Sequence, residues 1–156
     1  MEEDAAVKFV ADVMLGRLAR WLRLLGFDTL YSPELSDSKL LKLAREEGRF
    51  ILTRDTRLIN RRGIGDYLLI KANDPFEQLR EVIDSLKLKE FCPLSRCVNC
   101  NGPLMRFSDK GEIKDSVPEF VFLNFNVFLR CGGCGKIYWE GTQPEKFREK
   151  LSEILK

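Results

Sequence analysis

The chain has 156 residues, with 26 Lys and Arg against 24 Asp and Glu and no histidine. That length holds one domain, or a medium domain plus a small one, and 44% hydrophobic with 32% charged residues excludes a disordered or collagen-like chain. Without histidine there is no Ser-His-Asp triad, no Cys-His pair and no His-bearing zinc protease or zinc finger, so acid–base chemistry falls to carboxylates, Lys, Tyr, Cys or a metal-bound water.

The first ninety residues read as strand–helix units. Val7 to Ala11 predicts a strand, and a helix follows from about Leu15 to Leu25 with Leu15, Leu18, Ala19, Leu22 and Leu25 on one face. Arg17, Arg20 and Arg23 fall mostly off that face, and Gly26 stops the helix. Asp28 to Tyr31 predicts a second strand. Ser36 or Asp37 caps a second helix that carries Leu40, Leu41, Leu43 and Ala44 and ends near Gly48. Phe50 to Thr53 is a third strand, followed after Asp55 by a short basic helix. Tyr67 to Ile70 is a fourth strand, and a helix from Pro75 to Leu86 has proline in its first turn. Strands joined by helices predict a parallel sheet covered on both faces. The expected organisation is an α/β domain over residues 1–90 and a small zinc-ribbon domain over 91–156, closed by a helix from Pro144 to Leu155. Val127 to Arg130 and Lys136 to Trp139 predict a hairpin within the second part.

All five cysteines lie after residue 90. Four form two C-x-x-C pairs, Cys97/Cys100 and Cys131/Cys134, with thirty residues between the pairs. Each pair lets one tight turn offer two sulfurs to a tetrahedral ion, so the four read as a zinc ribbon. Asn101-Gly102 and Gly135 follow the pairs and let backbone N–H groups turn toward the sulfurs. Four thiolates leave no open position, so this zinc is expected to be structural and needed for folding of a small, helix-poor unit. Disulfides or a redox motif are the rival readings; an intracellular chain disfavours the former, and neither pair has a thioredoxin-like setting. Cys92 is left over, as a buried small hydrophobe or a substitute ligand.

Acidic residues fall at the carboxyl ends of the predicted parallel strands, where the ligand crevice of such a sheet lies. Asp12 follows the first strand, Asp37 opens the helix after the second and Asp55 closely follows the third; Asp74, after the fourth, is a further candidate. Converging carboxylates without histidine suit Mg²⁺ or Mn²⁺. Capping is the competing role for Asp37, Asp55 and Asp74, each of which starts a helix. Thr53 can hydrogen-bond a carboxylate or a phosphate, or simply end a strand. Arg54, Arg57, Arg61 and Arg62 cluster around one acid, Asp55, while Arg17, Arg20 and Arg23 form a second group. Both groups suit phosphate contacts or a solvated helix face. Trp21 reads as packing rather than base stacking.

The segment Lys8-Phe9-Val10-Ala11-Asp12-Val13-Met14-Leu15-Gly16-Arg17-Leu18-Ala19-Arg20-Trp21-Leu22-Arg23, then Leu25-Gly26-Phe27-Asp28, resembles the Mut-seven C-terminal RNase domain family. The likeness continues through Asp37, Leu52-Thr53-Arg54-Asp55, Gln78-Leu79, Arg96 to Leu104 and Tyr138-Trp139-Glu140-Gly141. Many relatives carry a histidine just after that last motif, where this chain has Thr142-Gln143. The resemblance implies a PIN-like fold, a three-layer parallel sheet with helices on both faces, followed by the four-cysteine ribbon. It also implies metal-dependent RNA cleavage, with the family's acids matching Asp12, Asp37 and Asp55.

Two functions follow as expectations. In the first, Asp12, Asp37 and Asp55 bind Mg²⁺ or Mn²⁺ and hydrolyse RNA, Arg17, Arg20, Arg54 and Arg57 hold phosphates, and Cys97, Cys100, Cys131 and Cys134 bind structural zinc. In the second, the same arginines and the ribbon form a non-catalytic RNA-binding module. No run of about 18 apolar residues occurs, and the acidic start Met1-Glu2-Glu3-Asp4 lacks the apolar core of a signal peptide. RNA is therefore the expected partner, no membrane is, and a cytoplasmic location is expected.

Overall fold

A computed structural model describes residues 7–107, 109–139 and 145–154. Four parallel strands form the first sheet: β1 (Phe9–Ala11), β2 (Thr29–Leu30), β3 (Phe50–Thr53) and β4 (Tyr67–Leu69), in the order β2-β1-β3-β4. The helices between them are α1 (Gly16–Leu24), α2 (Asp37–Glu47) and α3 (Thr56–Ile59), and α4 (Pro75–Leu86) follows β4.

Strand alternation sends successive side chains to opposite faces. Phe9, Ala11 and Leu52 pack with Leu18, Leu22 of α1 and Leu79, Val82 of α4. Val10 and Ile51 pack on the other face with Leu40, Leu41 of α2 and Leu58 of α3. Every side chain of β1 is buried, as expected of a parallel strand covered on both sides. Trp21 stacks on Phe76, with ring centroids 4.0 Å apart and planes 10° from parallel, and so joins α1 to α4.

Local chemistry fixes the ends of these helices. Ser36 caps α2 by accepting from Lys39 N, and Gly48 closes it at φ 64°. Asp74 caps α4 through Phe76 N and Glu77 N, with Pro75 in the first turn. Gly26 ends α1 at φ 98°, and a Cβ there would run into the Cys92 carbonyl.

The second part holds an antiparallel sheet of β5 (Leu104–Phe107), β6 (Phe128–Cys131) and β7 (Ile137–Trp139), with α5 (Glu119–Asn124) between β5 and β6. A last helix, α6 (Glu145–Ile154), returns to the first core, where Leu151 and Ile154 pack. The predicted ends of that helix, Pro144 and Leu155, lie outside the described residues, as do Glu140, Gly141 and Thr142-Gln143. Among the described residues no helix is long and apolar enough to cross a membrane.

Two expectations need correction. Arg23 is not off the apolar face of α1: it is buried at 5% exposure, because it stands four residues after Ala19 and meets carbonyls from the second part of the chain. Cys92 is exposed rather than buried, since the segment approaches Gly26 through its backbone, with Cys92 N donating to Leu25 O at 2.8 Å.

Candidate active site and metal centre

From β1 the chain crosses to β2 on one side of the sheet and then to β3 on the other. The strand order therefore reverses at the β1–β3 boundary, and in sheets of this kind ligands bind beside the carboxyl ends of the strands at that point. Asp12 and Thr53 sit there. Asp12 continues the pairing of β1, its N–H donating to Leu52 O at 2.9 Å. Its carboxylate is buried and doubly held: Oδ1 accepts from Val13 N at 2.6 Å and Oδ2 from the Thr53 hydroxyl at 2.7 Å. The first bond caps a 3-10 turn, Val13–Leu15, that leads into α1. Thr53 Oγ1 in turn accepts from Asp55 N at 2.9 Å, so one fully buried hydroxyl links the two acids.

Asp55 caps α3, its Oδ1 accepting from Arg57 N at 2.8 Å. Among the described residues its Oδ2 accepts no hydrogen bond. Asp37 is exposed on the first turn of α2 and makes no side-chain hydrogen bond among the described residues, because Ser36 takes the capping position. Asp74 spends one oxygen on two N–H groups of α4. The ligand atoms of Asp12, Asp37 and Asp55 do not all lie within 4.8 Å of one another, the separation that the four cysteines satisfy.

The arginines divide by position. Arg17, at the start of α1, is exposed with its guanidinium 5.4 Å from the Trp21 ring centre, and Arg20 is exposed one turn on. Arg57 is almost fully exposed, 3.6 Å from Asp55 Oδ1. Arg54 reaches to the loop after β4, donating to Asn73 Oδ1 at 2.6 Å. Val13 and Met14, beside Asp12, are also exposed.

The four cysteine sulfurs meet at the base of the second sheet. Cys97 Sγ lies 3.5 Å from Cys134 Sγ, and Cys100 Sγ 3.3 Å from Cys131 Sγ. A tetrahedral zinc with sulfurs about 2.3 Å away asks for S···S separations of about 3.8 Å, so an all-thiolate donor set at this spacing fits that ion. Backbone N–H groups of Gly133 and Cys134 point at Cys131 Sγ at 3.3 and 3.4 Å. The Tyr138 hydroxyl accepts from Val98 N at 2.9 Å and lies 3.2 Å from Cys97 Sγ, placed to donate to a thiolate. Gly102 is needed for space, since a Cβ would stand 3.1 Å from Cys131 Sγ.

Burial pushes the Cys131 thiol up, but the Cys134 N–H, the Cys100 thiol and the Gly133 N–H outweigh it and bring it down to about 6. The Lys136 N–H pulls Cys134 down, yet burial and the three neighbouring sulfurs prevail and push it up to about 11. Without an ion the quartet thus shares protons unevenly, and metal binding must release them.

Sequence reasoning missed the polar network behind this centre. Asn101 follows Cys100 at φ 71°, a conformation that asparagine tolerates. Its Oδ1 accepts from Thr29 N at 2.9 Å and its Nδ2 donates to Asp28 Oδ1 at 2.6 Å. Arg49 donates to Asp28 Oδ1 at 2.8 Å and to Phe9 O at 3.0 Å. Arg23 donates to Thr29 O at 2.9 Å, Val98 O at 2.9 Å and Asn99 O at 3.2 Å. The one local signal was Asn-Gly after the first cysteine pair; the arginines offered none.

The fold and the cysteine quartet define an α/β domain joined to a four-cysteine cluster whose sulfurs lie close enough to hold one metal ion. The chain belongs to the Mut7-C RNAse domain family, whose pattern matches residues 7–151, nearly the whole sequence. A search of curated proteins and a search of solved structures each return no match.

Proposed function

We propose that this protein is a ribonuclease that hydrolyses RNA phosphodiester bonds with Mg²⁺ or Mn²⁺ at Asp12, Asp37 and Asp55. One observation carries the reading. The buried Asp12 carboxylate stands at the strand-order reversal, fixed by Thr53, with acceptor capacity left on both oxygens. A buried carboxylate is costly unless its remaining lone pairs find a partner, and a divalent ion is such a partner.

The donor set is oxygen-only, which suits Mg²⁺ or Mn²⁺. Such an ion, when bound, supplies an activated water and offsets charge at phosphorus. The Thr53 hydroxyl fixes the Asp12 carboxylate and accepts from the Asp55 main-chain N–H, so both acids are tied to one residue. Asp37, free of capping, is the ligand that must move or bind through water. Arg17, Arg20, Arg54 and Arg57 hold the RNA backbone by phosphate contacts. The zinc held by Cys97, Cys100, Cys131 and Cys134 is structural, and the ribbon helps to hold the strand. Residues 1–90 act as the catalytic domain, 91–156 as the ribbon, and the protein works in the cytoplasm.

A second reading rests on a specific observation: Asp12 and Asp55 both cap a following turn, and the Thr53 hydroxyl is the other donor to Asp12, so structural roles account for all their side-chain hydrogen bonds among the described residues. The protein is then a non-catalytic RNA-binding module. End-labelled single-stranded RNA incubated with Mn²⁺, Mg²⁺ or chelator, with Asp55→Asn beside wild type, separates the two. Ion-dependent cleavage lost in the variant supports the enzyme; RNA binding without cleavage in either protein supports the module.

A further inference from the structure

Arg23 is a buried cation with no carboxylate within ion-pair distance among the described residues. Its guanidinium is held by three carbonyls, and two of them, Val98 and Asn99, lie between the ligands Cys97 and Cys100. Neutral carbonyls only partly offset the cost of burying a charge. The missing negative charge is next to it, because four thiolates around Zn²⁺ carry a net charge of −2.

We propose that Arg23 is the built-in counter-cation of the zinc–thiolate centre, and that zinc occupancy, through Arg23 and Asn101, fixes the ribbon to the edge of the parallel sheet. The same guanidinium that grips the knuckle also grips Thr29 O in β2. Asn101, in the turn set by Cys100, pairs the outward N–H of Thr29 and holds Asp28. The knuckle therefore closes the edge strand β2, whose polar groups otherwise lie open. Loss of zinc leaves Arg23 buried beside a disordered charge partner and removes the pairing of Thr29. This inference is independent of RNA cleavage.

The test uses the full zinc-loaded chain. Zinc retention is measured against increasing concentrations of a chromogenic chelator for wild type, Arg23→Met, Arg23→Lys and a surface control, Arg80→Met. Arg23→Met is expected to lose zinc at about tenfold lower chelator, a change of about 1.4 kcal/mol. Arg23→Lys is expected to fall between, keeping the charge but losing the planar fork. Arg80→Met is expected to match wild type. Equal retention in wild type and Arg23→Met overturns the proposal. Should Arg23→Met not fold, amide exchange on wild type decides: the Thr29 N–H is expected to exchange faster after chelation, alone or with the whole sheet. Unchanged exchange at Thr29 in the zinc-free protein overturns the link.

Discussion

The Thr53 hydroxyl donates to Asp12 Oδ2 at 2.7 Å while accepting from Asp55 N at 2.9 Å, so a single fully buried oxygen ties the ends of two neighbouring parallel strands to the start of α3. Thr53→Val keeps the shape and removes both bonds. The buried Asp12 oxygen then loses a donor, which costs about 1–3 kcal/mol of stability. Cleavage is expected to fall by about tenfold to a hundredfold, because the Asp12 carboxylate loses its anchor and the main chain at Asp55 its tie to it. Denaturant unfolding and single-turnover cleavage of the folded variant check the two effects separately.

Ser36 and Asp37 stand side by side, yet only Ser36 caps α2. Ser36→Ala is expected to cost about 1 kcal/mol, with little effect on cleavage. Asp37→Asn loses only a favourable charge near the helix start, about 0.3–1 kcal/mol. The same change is expected to lower cleavage sharply and to weaken Mn²⁺ binding. If Asp37 has no role beyond the helix, thermal melts keep this order and Asp37→Asn cleaves RNA like wild type.

Asp28 gives the fold an acid-sensitive joint. Burial alone would raise its carboxyl, but hydrogen bonds from Arg49 and Asn101 and the charges of Arg49 and Arg96 hold it below its ordinary 3.8. A folded value below the unfolded one means that the stabilisation is complete above the unfolded value and is lost as pH falls through the folded one. Asp28→Asn leaves Arg49 with Glu47, 2.8 Å from its Nε, as the remaining ion-pair partner, and is expected to cost about 1–3 kcal/mol at neutral pH. The gap between wild type and variant should narrow as pH falls below the ordinary carboxyl value of 3.8. Urea midpoints measured across that range test the sign.

The zinc centre is expected to be required for folding of the ribbon. Cys131→Ser removes the sulfur that accepts from Gly133 N and Cys134 N. Bound zinc is expected to drop from about one ion per chain to near none. Metal analysis of the purified variant, with circular dichroism before and after chelation of wild type, measures this. A variant that keeps its zinc and its melting point contradicts a four-thiolate site.

Much of this architecture was written in local sequence. The strand Phe50–Thr53 and the helix Pro75–Leu86 occupy the predicted spans, because an apolar run, a capping Asp74 and a first-turn proline act within a few residues. The cysteine quartet was equally legible, since each half of it is a four-residue turn. What escaped depends on distant partners. The strand Leu104–Phe107 shows no apolar alternation, with Met105 and Arg106 both exposed, and exists by pairing with Phe128–Cys131. Arg23 is satisfied by carbonyls 75 and 76 residues away, and Arg49 by Phe9 and Asp28. The place of Asp12 could be read from the end of an apolar strand; its tie to Thr53, 41 residues on, could not.

Under the proposed function Asp12 takes part in cleavage rather than only capping the turn after β1. Asp12→Asn is isosteric and retains an acceptor for Val13 N, so the fold should survive. Cleavage of end-labelled single-stranded RNA in Mn²⁺ and RNA affinity by gel shift in chelator, measured on one preparation of this variant, test it most directly. Cleavage is expected to fall by at least about a hundredfold, with RNA binding equal to or slightly tighter than wild type. Wild-type cleavage by Asp12→Asn would contradict it and leave Asp12 as a cap alone.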